Sequence, residues 1–199
     1  MKILQKYLGI TEDGILGPNT LKFSELWARA QYEKLGLQFP KKGLIGLRQS
    51  QTFTDLLSDY CLIIKDSKCI DILPWTTKPG KPGVLNFLKY NKAGVGCLIE
   101  NEPHVWLWST EPNKYGAAMG KQYETIRVYR DGNKDNKLDK NIIEVAPVDK
   151  TFQLHAMDTK KFVGWWSLGC NGTMKSVWVD RVVPHFADDE KVVYCVLEM

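Results

Sequence analysis

Phe152-Gln153-Leu154-His155 is followed, fifteen residues beyond the histidine, by Cys170 in the run Ser167-Leu168-Gly169-Cys170-Asn171-Gly172. The first segment alternates apolar and polar side chains, the period of a half-buried strand, and Lys160-Lys161 then form a charged excursion. Trp165-Trp166 lead into the second segment, whose small residues make a tight turn with a thiol at its end. Ser176-Val177-Trp178-Val179-Asp180 and Val192-Val193-Tyr194-Cys195-Val196-Leu197 read as two further strands. If these strands are neighbours, their ends would bring a histidine and a cysteine together although they are distant in sequence. The pairing matters because a thiol attacks only as thiolate, and a nearby imidazole is the commonest group to remove its proton near neutral pH. The bland alternative is a cysteine that is merely a small packed residue between glycines.

Working outward, Cys61-Leu62-Ile63-Ile64, Val105-Trp106-Leu107-Trp108 and Ile126-Arg127-Val128-Tyr129 are further strand patterns, and Asp71 to Gly80 reads as a strand running into a Pro/Gly loop. Leu37 to Gln51 reads as a connector and Thr54 to Tyr60 as a helical turn. The beginning of the chain differs. Ile3-Leu4-Gln5-Lys6-Tyr7-Leu8-Gly9 has apolar residues one turn apart and a glycine where a helix ends; Thr11 to Thr20 is turn chemistry, and Phe23, Leu26, Trp27 and Ala30 then share one helical face. The expected fold class is α+β. A small helical module spans 1–36, a connector 37–60, and a mainly β domain 61–199.

Two resemblances are carried by these residues. Ser167, Gly169 and Cys170 with His155 upstream resemble the signature of the L,D-transpeptidase catalytic domain, a β-rich cysteine enzyme of peptidoglycan metabolism. Leu168 stands where that family has a second imidazole, and Asn171-Gly172-Thr173 where it has a basic residue. The aromatic-Ser-Leu-Gly-Cys turn after an isolated histidine, and the run from Val128-Tyr129-Arg130-Asp131 to Leu138-Asp139, look closer to a divergent subgroup. Leu4-Gln5, Leu8-Gly9, Asp13-Gly14-Ile15-Leu16-Gly17-Pro18 and Thr20 resemble the small helical peptidoglycan-binding repeat found beside wall hydrolases. An ordinary helical hairpin packed on the main domain is the competing reading.

The resemblance implies a mixed sheet or barrel and an acyl transfer through a Cys170 thioester, cleaving or exchanging stem-peptide amides of peptidoglycan. His155 is then the base, and the Ala156 carbonyl orients its ring. It also implies that the Pro/Gly loop at 74–80 borders the site. Backbone N–H groups at Gly169 and Cys170 are the natural oxyanion donors, since glycine lets backbone approach closely. The expected partner is the bacterial wall, reached by a lytic protein such as a phage endolysin or an injected antibacterial effector, with an immunity protein or a delivery machine as further partners. The alternative is a non-catalytic wall-binding or virion structural protein that keeps the fold.

Charge and composition narrow the classes. Residues 1–50 hold eight Lys/Arg against four Asp/Glu, so the whole net charge of +4 sits in the N-terminal segment, which suits an anionic partner. Nucleic acid would require a basic stripe with interleaved aromatics, and the lysine pairs at 41–42 and 160–161 are too short to form one. No apolar run reaches membrane-spanning length, and Lys2, Lys6 and Glu12 interrupt the first residues, so neither a membrane helix nor a secretory signal is expected; synthesis in the cytoplasm and action on the wall after release follow. Five cysteines, at 61, 69, 97, 170 and 195, form no framework and suit a reducing compartment. His104 and His185 lack any zinc-like spacing to Cys170. Asp131, Asn133, Asp135 and Asp139 alternate oxygen side chains as a calcium loop does, with Asn136 in place of the turn glycine and Ile142 in place of the bidentate glutamate. Calcium and a hydrated Asx-rich hairpin both remain open for that run.

Overall fold

Val192 to Leu197 is apolar at every position, the composition of a strand covered on both faces. It lies in the middle of the largest sheet. The computed structural model describes residues 1–89, 91–112, 117–148, 152–157, 163 and 167–199; Lys160-Lys161 and Trp165-Trp166 lie outside them. The described strands are β1 (Gly43–Arg48), β2 (Asp59–Lys65), β3 (Lys68–Trp75), β4 (Val95–Leu98), β5 (His104–Ser109), β6 (Met119–Gln122), β7 (Ile126–Asp131), β8 (Ile143–Ala146), β9 (Gln153–Met157), β10 (Asn171–Met174) and β11 (Lys191–Glu198). The described helices are α1 (Lys2–Tyr7), α2 (Pro18–Lys34), α3 (Lys81–Asn86) and α4 (Lys175–Arg181). The class is α+β.

The eight-stranded sheet has the order β10-β9-β6-β5-β11-β1-β2-β3 and is mixed, with β11 parallel to β1 and β10 parallel to β9. Its two edges almost meet. Just past β3, the Thr76 N–H donates to the Gly172 carbonyl at 2.9 Å and the Gly172 N–H donates back at 3.3 Å, so the sheet is a nearly closed barrel. Closure at this point removes an exposed edge and brings the loop after β3 onto β10. A smaller sheet, β4-β7-β8, packs beside it.

The interior is aromatic. Trp178 stacks between Trp75 and Trp108 with ring centroids 5.9 and 5.4 Å away, and its indole N–H donates to the Ala118 carbonyl at 2.8 Å. Trp178 and Val182, four residues apart, are both fully buried, and this helical spacing explains why 175–181 folds as α4. The expected strand at 176–180 is therefore corrected: strand propensity lost to the need for one indole to fill the barrel interior, while Val179 is left exposed.

Three further expectations change. Residues 43–48, inside the stretch read as a connector over 37–60, are the fully buried central strand β1. Arg48 is tolerated there because its guanidinium donates to the Thr77 hydroxyl and the Leu98 carbonyl and pairs with Glu100 at 3.3 Å. Thr54 to Tyr60 is not helical. On α2 the buried line is Thr20, Ser24, Ala28 and Tyr32, whereas Phe23 and Leu26 are exposed. Leu4, Ala28 and Tyr32 share a core with Ile45, Leu62 and Leu197, so the N-terminal helices lie against the outer face of the sheet. Small residues on α2 allow that close approach.

The Asp13-Gly14 motif has a local explanation. Buried Gln5 donates to the Asp13 carboxylate at 2.6 Å and to the Ile15 carbonyl at 3.0 Å, and accepts from the Gly14 N–H at 2.8 Å. Hydrogen bonds from Ile15 N–H and Gln5 hold the Asp13 carboxyl below the usual range. Among the described residues no helix is long and apolar enough to cross a membrane.

Candidate active site

Strand register places the two residues of interest. In the parallel pair β9–β10, Gly172 stands opposite His155. Cys170 lies just before β10, two residues ahead of Gly172, so the register brings the turn that carries the thiol to the β9 strand that carries His155. His155 is buried, and its Nδ1 lies 2.6 Å from the Ala156 carbonyl oxygen. A carbonyl only accepts, so Nδ1 carries the ring proton and Nε2 is the basic nitrogen. Ala156 thus holds the ring in one tautomer.

The turn before Cys170 is built from its own side chains and from distant ones. Ser167 Oγ donates to the Cys170 carbonyl at 2.6 Å, and the Gly169 N–H donates to Ser167 Oγ at a long 3.3 Å. Gly169 is required by close approach: a Cβ on it would lie 2.4 Å from the Phe152 ring. Asn171 Nδ2 donates to the Gly169 carbonyl at 3.1 Å; Tyr194 donates to Asn171 Oδ1 at 2.9 Å; and Trp75 donates to the Tyr194 hydroxyl at 3.0 Å. A buried chain of hydrogen bonds therefore runs from the barrel interior to the turn, a network that rigidifies when every member is satisfied.

The loop after β3 and helix α3 each add a contact to this turn. Gly80 N–H donates to the Ser167 carbonyl at 3.2 Å, and a Cβ on Gly83 would meet the Leu168 side chain at 2.8 Å. Gly96 of β4 donates its N–H to the Leu168 carbonyl at 3.0 Å. The Gly169 N–H, expected as an oxyanion donor, is turned onto Ser167 Oγ here, so that role requires the long 3.3 Å bond to be exchanged for a substrate oxygen. Asn171, Tyr194, Phe152 and Thr76 belong to the site, and local sequence reading did not find them. For Asn171 alone a signal existed, in its departure from the basic position.

No protein-family model matches the chain, and no curated protein matches it.

The five cysteines separate by environment. None is in a disulfide, and Cys61, Cys69, Cys97 and Cys195 are buried while Cys170 is half-buried. Burial pushes the thiols of Cys69, Cys97 and Cys195 up to about 12, and that of Cys61 well above the ordinary value. Such groups carry almost no thiolate near neutral pH. Iodoacetamide on the native protein is therefore expected to modify Cys170 ahead of the other four, read by peptide mass mapping. Equal labelling, or labelling elsewhere first, would count against an activated Cys170.

The remaining polar residues are placed as follows. His104 lies between Glu102 and Glu124, at 3.7 and 3.5 Å, and burial lowers its pKa in spite of both carboxylates. His185 sits in a short 3-10 turn. Among the described residues no group of three or more His, Cys, Asp or Glu is gathered to hold a metal ion. In the Asp131 loop, carboxylate and amide oxygens accept main-chain N–H groups: Asp139 N–H to Asp131 Oδ2 at 2.7 Å, Asp135 N–H to Asn133 at 3.0 Å and Lys137 N–H to Asp135 at 2.9 Å. These are the bonds of an Asx-rich turn.

Proposed function

We propose that this protein is a cysteine acyl transferase that cleaves or exchanges stem-peptide amides of peptidoglycan. The observation that supports the reading is the β9–β10 register, which pairs Gly172, two residues after Cys170, with His155, whose Nδ1 lies 2.6 Å from the Ala156 carbonyl oxygen. Nε2 of His155 takes the Cys170 proton, and the thiolate attacks the amide carbonyl. The tetrahedral intermediate collapses as the imidazolium returns that proton to the leaving amine, which leaves an acyl thioester on Cys170. Water then gives hydrolysis, whereas a second stem amine gives a new amide. Both routes regenerate the thiol.

Support for the wall as substrate comes from the resemblance of Ser167, Gly169, Cys170 and the first thirty residues, and from the basic excess before residue 50. A cleft at the start of α2, lined by Ile10, Thr11, Asp13, Asn19, Thr20 and Phe23, offers polar groups and an exposed aromatic ring suited to a sugar or peptide. The biological setting proposed is lysis, by a phage endolysin or an injected antibacterial effector. Incubation with purified sacculi tests the reading: released fragments with masses one stem-peptide amide hydrolysed, or new crosslinks, are expected. Intact sacculi with no change in muropeptide masses would overturn it.

A further inference from the structure

We infer that Tyr194 and Asn171 are positioning residues that aim the Cys170 N–H at the oxyanion of the acyl-transfer step, an inference that rests on the chemistry proposed for this site. The relay through them has one direction. An indole N–H only donates, so the Trp75 bond at 3.0 Å makes the Tyr194 hydroxyl an acceptor at that end. Its own proton then goes to the Asn171 side-chain oxygen at 2.9 Å. That bond fixes the amide: Oδ1 faces the tyrosine, and Nδ2 is left to donate to the Gly169 carbonyl at 3.1 Å. A carbonyl only accepts, so both ends of the chain agree on its polarity. Burial pushes the Tyr194 pKa well above the ordinary tyrosine value, and the hydroxyl stays protonated near neutral pH.

The surroundings are built for that one oxygen. Gly46 lies in the fully buried central strand β1, and a Cβ on it would fall 2.4 Å from Tyr194 Oη. Trp75 is held in turn by stacking on Trp178. A phenylalanine at 194 would fill the core with the same ring and need neither provision.

What the relay controls follows from peptide geometry. The Gly169 carbonyl and the Cys170 N–H belong to one planar trans unit, in which they point in opposite directions. Asn171 is buried and draws the carbonyl toward itself, so the N–H is directed away from the buried amide. The bonds through Ser167 hold the peptide units before and after this one, at the Gly169 N–H and the Cys170 carbonyl. Glycine at 169 makes the unit between them easy to rotate, and the bond from Asn171 opposes that rotation.

The test is acylation of the full-length protein by p-nitrophenyl acetate. The Cys170 thiolate attacks the ester carbonyl, p-nitrophenolate leaves, and an acetyl thioester remains on Cys170, a step that needs an oxyanion donor but no wall substrate. Tyr194→Phe deletes the middle of the relay, and Asn171→Leu, a second variant, deletes its last donor. In both, the burst of p-nitrophenolate is expected to slow about tenfold or more. Alkylation of Cys170 by iodoacetamide, a displacement with no oxyanion, is expected to keep its wild-type rate and pH profile. With soluble muropeptides, kcat falls and KM stays nearly unchanged. Unaltered acylation in the folded variants would overturn the inference, as would equal falls in acylation and alkylation, the mark of a turn merely loosened. Failure of the wall reading shows separately: the wild-type protein then gives the burst but releases nothing from sacculi, and the ester comparison still decides the relay. Absence of a Cys170-dependent burst in the wild type would overturn the relay and acyl transfer together.

Discussion

Cys170→Ala is expected to lower the release of stem-peptide fragments from sacculi by about a thousandfold or more, with Tm nearly unchanged. The structural part follows from where the turn takes its hydrogen bonds. Ser167 Oγ reaches the Cys170 carbonyl, and Asn171 reaches the Gly169 carbonyl, so the scaffold uses main-chain atoms that alanine retains. The side chain itself is only half-buried, unlike the other four thiols. The kinetic part follows from the roles assigned. Without the thiolate no covalent intermediate forms, and what remains is only orientation of the amide and hydrogen bonding to its oxygen. Removing His155 as well should add little, because nucleophile and base act as a unit. Fragment release that survives Cys170→Ala would instead leave a wall-binding or virion protein that merely keeps this fold.

Gly172→Ala is expected to cost about 3 kcal/mol, lowering Tm by roughly 6–12 °C in thermal or denaturant unfolding. A Cβ built on Gly172 falls 1.9 Å from the His155 carbonyl oxygen, far inside contact distance. The residue has nowhere to retreat. Its N–H and carbonyl are both bonded to Thr76, a direct link between the two edges of the large sheet. Relieving the clash means parting β10 from β9 or opening the barrel, and either change moves His155 relative to Cys170. Activity should therefore fall even at temperatures where the variant is folded. A variant with wild-type Tm would contradict the closure described for the sheet.

Much of the sheet was legible because strand signals were local. Val192 to Leu197, Cys61 to Ile64 and Val105 to Trp108 are apolar or alternating over enough residues to exclude a helix, and each lies in a strand. β1 escaped because Phe39-Pro40-Lys41-Lys42-Gly43 reads as connector chemistry; only the Thr77, Leu98 and Glu100 partners, distant in sequence, make the buried Arg48 acceptable. α4 escaped for a related reason: Ser176 to Asp180 has strand composition, and the demand for an indole between Trp75 and Trp108 comes from residues far along the chain. On α2 the large side chains suggested the buried face, but a close approach to the sheet selected Ser24 and Ala28 instead.

The site divides along the same line. Cys170, His155, Ser167 and Gly169 stand out in sequence because their types and spacing carry chemistry. Tyr194, Phe152 and Thr76 act through contacts that exist only after the barrel closes, so no local pattern marks them.

The most direct measurement of the central claim is the intact mass of the protein, acid-quenched during turnover with soluble muropeptides. The account predicts a transient adduct equal to the acyl part of the stem peptide, located on Cys170 and absent from Cys170→Ala. Turnover without any adduct under single-turnover conditions, or the same adduct on the alanine variant, would contradict it.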